Sequence, residues 1–434
     1  MSWISRGLEV ILEVGLQRRL PGRTPPFVPD RVRRILVVRN DNIGDVLCTT
    51  PALRALRCAF PQAHLAILVA EHCRAAVEWN PDLNEVLTYT KAKHHHGLLG
   101  LAALCNLMRL IRELRARRFD LAIGMRRPFS RSNAWLTYAS GAPWRLGYSA
   151  PASHPFRFFL NLGRDPGAMA THEMDGCLEL LASIGVSEVG RASTLIPDRD
   201  AVVGIRERLC AESAGERGSL ALVHISNRRE ASRWPLERFA QAADHLQERL
   251  GLTILLSWSP GDERNPLFPG DDGKAEKVAR CMRARPVLLR TPELRELIAA
   301  LSLCDFVLST DGGLMHMAAA LEVPQVVLFG KTDPLHWAPV SDRAVWLRRD
   351  GRADRISVEE VVSAAAGVLA RWRRVPRPGS QALRQSGTQE EPECQSAECR
   401  EPRAESQAHC GMRNADCGMR YETSGERGKR SREP

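Results

Sequence analysis

Arg34-Ile35-Leu36-Val37-Val38-Arg39-Asn40-Asp41-Asn42-Ile43-Gly44-Asp45-Val46-Leu47 is the stretch on which the fold turns. Its first six residues form a short β-branched apolar run, the pattern of a strand buried on both faces of a parallel sheet. A polar loop with one glycine follows. Thr50-Pro51-Ala52-Leu53-Arg54-Ala55-Leu56-Arg57 then reads as a helix, and His64-Leu65-Ala66-Ile67-Leu68-Val69 as a second strand. Strand, helix, strand is the βαβ unit.

Outward from that unit the alternation continues, with a helix over Leu98–Arg117, a strand over Phe119–Met125, a helix over Arg131–Ser140 and another through His172–Ile184. These make one Rossmann-like half. Near Pro197 the pattern restarts with a helix to about Cys210 and a strand over Leu220–His224. It goes on through helix Leu236–Arg249, strands Leu252–Trp258 and Val287–Leu289, helix Pro292–Leu301, strand Phe306–Ser309, helix Leu314–Leu321 and strand Gln325–Phe329. A chain of 434 residues exceeds what one core usually fills, so two domains are expected. The boundaries read as residues 1–30, an N-terminal helix and proline-rich connector; 31–195, a first Rossmann-like domain; 196–374, a second; and 375–434, a tail whose composition cannot bury enough surface to fold.

Basic side chains outnumber acidic ones by 61 to 51, a net charge of +10, which points to an anionic partner without choosing its kind. Aromatic residues make up only 6%, which disfavours base-stacking surfaces and nucleic acid. The first twenty residues are interrupted by Arg6, Glu9 and Glu13 and lead to no cleavage site, so they read as an amphipathic helix rather than a signal peptide. No run of 18 apolar residues occurs, so any membrane contact is expected to be peripheral. Of twelve cysteines, the eight from Cys48 to Cys304 lie in apolar or helical contexts and read as buried small hydrophobes in a reducing compartment. Cys394, Cys399, Cys410 and Cys417 lack paired ligand spacing, and His94-His95-His96 cannot converge on one ion, so no metal site is expected.

Two stretches could carry chemistry. Asp45 follows a strand at its carboxyl end, where ligands bind in open α/β sheets. Gly44 permits close approach, and a carboxylate there can take a proton from an attacking hydroxyl. The alternative is that Asp45 or Asp41 caps the following helix. The second stretch, Thr310-Asp311-Gly312-Gly313-Leu314-Met315-His316, is a strand end, a glycine turn and a helix start. The N–H groups of such a turn make an anion site to which His316 can add a donor. The alternative is a tight turn with Asp311 as cap. Arg126, Arg127 and Arg131 follow another strand end and suit phosphate or carboxylate, whereas Arg112, Arg115, Arg117 and Arg118 read as a solvated helix face.

Taken together, residues 39–56 and 309–334 resemble the two signature regions of glycosyltransferase family 9, which includes the lipopolysaccharide heptosyltransferases. Phe119-Asp120-Leu121-Ala122-Ile123, Ser140-Gly141-Ala142-Pro143, Arg145-Leu146-Gly147-Tyr148 and Arg233-Trp234-Pro235 resemble family landmarks in the same order, over about residues 31–370. The resemblance implies a GT-B fold, an α/β architecture of two Rossmann-like domains facing across a cleft. It implies an inverting transfer from a nucleotide-sugar, ADP-heptose first, to an anionic glycolipid acceptor such as the lipopolysaccharide inner core. It also implies a cytoplasmic enzyme, peripheral at most on the inner membrane, that uses no cofactor and requires no metal.

On the same resemblance Asp45 is the base, with Gly44, Arg126, Arg127 and Arg131 on the acceptor side. Thr310, Asp311, Gly312, Gly313 and His316 hold the donor, and Asp262 or Glu263 contacts the nucleoside. The pattern departs at Gly312, usually Ser or Thr; Glu322, usually Gly; Lys331, usually Pro; Gly124, usually Asp; and Ser232, where a basic residue usually stands beside Arg233. Ser232 and Arg233 are carried over to the donor side. The competing readings are a sugar-nucleotide epimerase and a non-catalytic sugar-nucleotide-binding protein.

Overall fold

The computed structural model describes residues 25–90, 100–151, 154, 156–165, 172–212, 218–265 and 269–372. The expected N-terminal helix, the histidine run at 94–96 and the cysteine-bearing tail lie outside them. In the first half the chain runs β1 (Arg34–Arg39), α1 (Ile43–Ala59), β2 (His64–Ala70), β3 (Glu85–Tyr89), α2 (Gly100–Ala116), β4 (Leu121–Gly124), α3 (Arg131–Ala139), β5 (Trp144–Tyr148), β6 (Leu162–Arg164) and α4 (Glu173–Ala182). The second half runs α5 (Arg199–Glu212), β7 (Ser219–His224), α6 (Leu236–Leu250), β8 (Leu252–Trp258), α7 (Asp272–Cys281), β9 (Val287–Arg290), α8 (Leu294–Leu303) and β10 (Phe306–Thr310). It continues with α9 (Gly313–Ala320), β11 (Gln325–Phe329), α10 (Pro334–Trp337), β12 (Ala344–Arg348) and α11 (Val358–Trp372).

Each half is a parallel six-stranded sheet, ordered β3-β2-β1-β4-β5-β6 and β12-β11-β10-β7-β8-β9. Both sheets start in the middle, wind to one edge and return to the other side of the first strand. The reversal leaves a crevice at the carboxyl ends of β1 and β4 in one sheet, and of β7 and β10 in the other. Ligands of doubly wound sheets bind at such reversals.

The strands are apolar because both faces are covered. Ile35 and Val37 face α1, where Val46, Leu47, Leu53 and Leu56 meet them, while Leu36 and Val38 pack with Leu110, Leu114 and Leu136. The cluster around α1 continues into the second half through Ile298, Leu301, Val307, Leu314 and Met317, so the two sheets share one apolar layer. On its outer side the second sheet packs Phe306 and Leu308 against α6 and α11.

β8 and β11 have the bounds expected from the sequence, and α1 does not. It starts at Ile43, because Asn42 is extended and supplies its N-cap, and it contains Pro51. A proline there leaves the Leu47 carbonyl without its helical donor. The hydroxyls of Thr50 and Ser193 donate to that oxygen instead, at 2.8 and 3.2 Å. The cysteine expectation holds for half of the eight: Cys48, Cys73, Cys177 and Cys304 are buried, Cys210 is half-buried, and Cys58, Cys105 and Cys281 are exposed.

Candidate active site

At the end of β1 the Arg39 side chain is 1% exposed, and acidic groups surround it. Its Nη2 donates to Asp45 Oδ1 at 3.0 Å and to Glu173 Oε1 at 2.7 Å, and its Nε lies 3.4 Å from Asp41 Oδ2. Burial alone would lower the guanidinium pKa, but Cys177, Glu173, Asp45 and Asp41 outweigh it and raise it. Glu173 balances in the same way: burial favours its protonation, while bonds from His336 and Arg39 hold it below the ordinary carboxylate value. Asp45 stands in the first turn of α1 and accepts from the Asn42 N–H at 3.2 Å. Capping and chemistry are therefore compatible for Asp45. Its side chain is 15% exposed against 3% for Glu173 and 7% for Asp41, so it is the most open of the three carboxylates around Arg39.

Across the first crevice Arg126 meets Asp41 at 2.6 Å, joining the loop after β4 to the loop after β1. Burial raises the Asp41 pKa despite the neighbouring Arg39. Asn133 of α3 donates to the Val38 carbonyl at 2.9 Å and to Asn40 Oδ1 at 3.1 Å. A Cβ on Gly124 would stand 2.4 Å from Asn133 Oδ1, which accounts for glycine at a position where the family pattern has Asp. Arg127 is buried and faces Glu173 at 3.9 Å, whereas Arg131 lies over the Phe156 ring at 5.6 Å. Two of the three loop arginines are thus held by carboxylates of the protein.

In the second crevice Asn227, after β7, donates to Thr310 Oγ1 at 2.9 Å and to the Asp311 carbonyl at 2.8 Å, after β10. Arg229 Nη1 donates to Thr332 Oγ1 at 2.8 Å and lies 3.8 Å from Asp311 Oδ2. Gly312 is extended, and a Cβ there would meet only the Thr310 carbonyl at 4.0 Å, so this position accepts a side chain. A Cβ on Gly313 would stand 3.3 Å from Ile43 Cβ and 3.7 Å from the Gly44 nitrogen. His316 is buried, and its Nδ1 lies 3.7 Å from Cys48 Sγ. Burial pushes its pKa down to about 4, so the ring is neutral at pH 7.

The two loops chosen from the sequence therefore meet: Asp45 and Gly44 open α1, Gly313 and His316 open α9, and the two helix starts pack together. Further bridges join the halves. His336 Nε2 lies 3.4 Å from Glu173 Oε2, and His172 Nε2 is 2.9 Å from the Ala338 carbonyl. Other predicted residues of the second half have these local partners. Asp262 pairs with Arg264 at 3.3 Å and Glu263 with Lys274 at 2.6 Å, both spending their charge on close neighbours. Ser232 is fully buried, and Arg233 turns back to the Asn227 carbonyl at 3.0 Å. Arg39, Glu173, Asn227, Arg229 and His336 escaped the sequence reading. Only Arg39, an arginine ending a buried strand, carried a signal of its own.

Among the described residues no group of three or more His, Cys, Asp or Glu side chains is placed to hold a metal ion, and no helix is long and apolar enough to cross a membrane.

Two doubly wound sheets whose ligand-binding crevices open toward one another, joined through a shared apolar layer, define a GT-B fold. The family model of glycosyltransferase family 9 (heptosyltransferase) matches residues 107–363, and the chain belongs to that family. It is a glycosyltransferase. Among curated proteins it is 24% identical over 314 residues to lipopolysaccharide heptosyltransferase 3 of Escherichia coli (strain K12), covering 70% of this chain and 84% of that one. It is 25% identical over 335 residues to lipopolysaccharide heptosyltransferase 2 of the same organism, covering 73% and 88%. Among solved structures, the family 9 glycosyl transferase of Veillonella parvula DSM 2008 superposes with a TM-score of 0.69 at 24% identity, over 78% of this chain and 97% of that one. The E. coli heptosyltransferase WaaC with ADP superposes with a TM-score of 0.62 at 22% identity, over 77% and 99%.

Proposed function

We propose that this enzyme transfers heptose from ADP-heptose to the lipopolysaccharide inner core, or a related sugar to a related anionic glycolipid, with inversion. Residues 31–195 serve the acceptor and 196–374 the donor. The observation that carries the site assignment is the packing of the α1 start, with Asp45, against the α9 start, with Asp311 to His316. Asp45 takes the proton of the acceptor hydroxyl as that oxygen attacks the anomeric carbon and the nucleoside diphosphate leaves from the opposite face. The N–H groups of Gly312 and Gly313 stabilise the departing charge. Burial raises the Cys48 thiol pKa, so the thiol stays protonated. Its S–H donating to Nδ1 leaves the ring hydrogen of His316 on Nε2, free for a phosphate oxygen. Thr310 and Asp311 hold donor hydroxyls, Asp262 or Glu263 the nucleoside, and Arg126, Arg127 and Arg131 the acceptor. The reaction belongs to the cytoplasm, with peripheral contact at the inner membrane.

Thermal-shift screening with ADP-, GDP-, UDP- and dTDP-sugars tests the donor, because a bound ligand stabilises the folded state by mass action. ADP-heptose is expected to give the largest shift, and a larger shift with another nucleotide would replace it. Asp45→Asn is expected to keep that shift while losing transfer; retained turnover would remove Asp45 from the mechanism.

A further inference from the structure

We infer that Arg229 is the side-chain cation that holds the β-phosphate of the donor and takes up the charge it gains on leaving. The turn assigned above to the diphosphate lies beside a carboxylate: the Asp311 side chain is 1% exposed, and its Oδ2 has no hydrogen-bond partner among the described residues. Backbone N–H groups are dipoles, and alone they would have to hold a phosphate against that buried negative charge. A guanidinium at this point offsets the repulsion, and one is present. Arg229 Nη1 lies 3.8 Å from Asp311 Oδ2 and donates to Thr332 Oγ1 at 2.8 Å, so the side chain spans the loops after β10 and β11. Its backbone is fixed too. The Arg229 N–H donates at 2.8 Å to Asn227 Oδ1, the amide whose nitrogen bonds Thr310 and Asp311.

The side chain is nonetheless 67% exposed, and among the described residues Thr332 takes its one side-chain hydrogen bond. Nε and Nη2 therefore keep donors for the forked contact that arginine makes with phosphate oxygens. Neither residue carried over from the sequence has this geometry: Ser232 is fully buried, and Arg233 folds back onto the carbonyls of Asn227 and Arg228 at 3.0 and 3.5 Å. The chemistry asks for a cation here. When the bond from the anomeric carbon to the β-phosphate oxygen breaks, its electron pair stays on that oxygen, the carbon bonds the acceptor oxygen, and the acceptor proton passes to Asp45. ADP then carries one negative charge more than its phosphates did in ADP-heptose, and a fixed guanidinium stabilises that increment. This role rests on the donor reading above and adds the residue that answers the departing charge.

Calorimetric titration of the full chain with ADP and with AMP tests this, since AMP lacks the β-phosphate. The wild type is expected to prefer ADP, and Arg229→Gln to cut that preference by about tenfold or more, the worth of a charged hydrogen-bond pair. A substitution that merely loosened the loop would weaken both nucleotides alike. Arg229→Lys keeps the charge without the fork and should recover part of the preference. Arg228→Gln removes the same charge from an exposed neighbour and should leave the ratio within about twofold. With ADP-heptose and a heptose-deficient lipopolysaccharide core, Arg229→Gln should also lower kcat by about tenfold or more, because the contact strengthens as charge develops. An unchanged ratio, or an equal fall in Arg228→Gln, overturns the phosphate contact, and an unchanged kcat overturns the part played in leaving. A wild type that binds no ADP would instead sink the donor reading, and the role of Arg229 with it.

Discussion

Gly44 and His316 lie in contact across the two halves of the molecule: a Cβ built on Gly44 would stand 2.7 Å from His316 Cδ2 and 3.3 Å from its Nε2. The ring is itself buried beside Cys48, so it has little room to retreat. Gly44→Ala is therefore expected to destabilise the fold by about 1–3 kcal/mol, the usual cost of overpacking, and to lower transfer by displacing the α9 start. Gly312→Ser is the control, since its Cβ meets nothing closer than 4.0 Å and serine caps helices well. It should stay within about 0.5 kcal/mol of the wild type. Urea unfolding of both variants decides this, and equal losses would remove the steric argument.

The depressed pKa of His316 has a consequence for acid stability. In the unfolded chain the imidazole takes its proton as pH falls through about 6.5, whereas in the folded protein burial delays it to about 4. The unfolded state thus binds more protons over that window, and stability falls as pH drops from 6.5 toward 4. At 1.36 kcal/mol per unit the total from this group is roughly 3 kcal/mol, with no further loss below the lower value. His172, also lowered by burial, adds in the same direction. Measured by urea unfolding across this range, His316→Asn should flatten the dependence by about one proton; an unchanged slope would show that the folded ring titrates normally.

The parallel cores were legible because strands buried on both faces are rich in consecutive apolar residues, and Ile35 to Val38, Ile254 to Leu256 and Val326 to Phe329 supply such runs. Of the edge strands, Glu85–Tyr89 mixes charged and polar with apolar residues, while Ala344–Arg348, only partly buried, does hold an apolar run, Ala344 to Leu347, that the sequence reading passed over. The loops bearing Asp45 and Asp311 were legible because glycine marks close approach, and Gly44 and Gly313 do approach across the halves. Their partners were not. Glu173 and Asn227 lie far along the chain from Arg39 and Asp311, and only folding makes them neighbours. Glu322 shows a departure that structure explains in part: its φ of 53° is the left-handed conformation that suits the glycine usual there, and its carboxylate reaches Arg343 at 3.9 Å.

Asn227 links the loop after β7 to the end of β10 with one amide nitrogen, which donates to both Thr310 and Asp311. Asn227→Ala should cost about 1–2 kcal/mol in urea unfolding, since it leaves buried acceptors without a donor. It should also loosen the turn to which the donor role is assigned above as a proposal, so the stabilisation by added ADP should shrink more than the loss of stability alone explains. An ADP-induced thermal shift equal to that of the wild type would confine Asn227 to a structural role.

His172 combines two duties that can be separated by substitution. As the N-cap of α4 its Nδ1 accepts from the Met174 N–H at 3.2 Å, and its Nε2, which then carries the ring hydrogen, donates to the Ala338 carbonyl at 2.9 Å. Only the neutral ring can accept at Nδ1 while it donates at Nε2, and burial keeps its pKa below the ordinary value. Losing a cap costs about 1 kcal/mol and losing a hydrogen bond between the halves a similar amount, so His172→Ala should destabilise by roughly 2 kcal/mol. Asparagine is a good cap but too short to keep the bridge, so His172→Asn should lose about half as much. Equal losses in the two variants would place the whole contribution in the bridge to Ala338, whereas a neutral asparagine variant would place it in the cap.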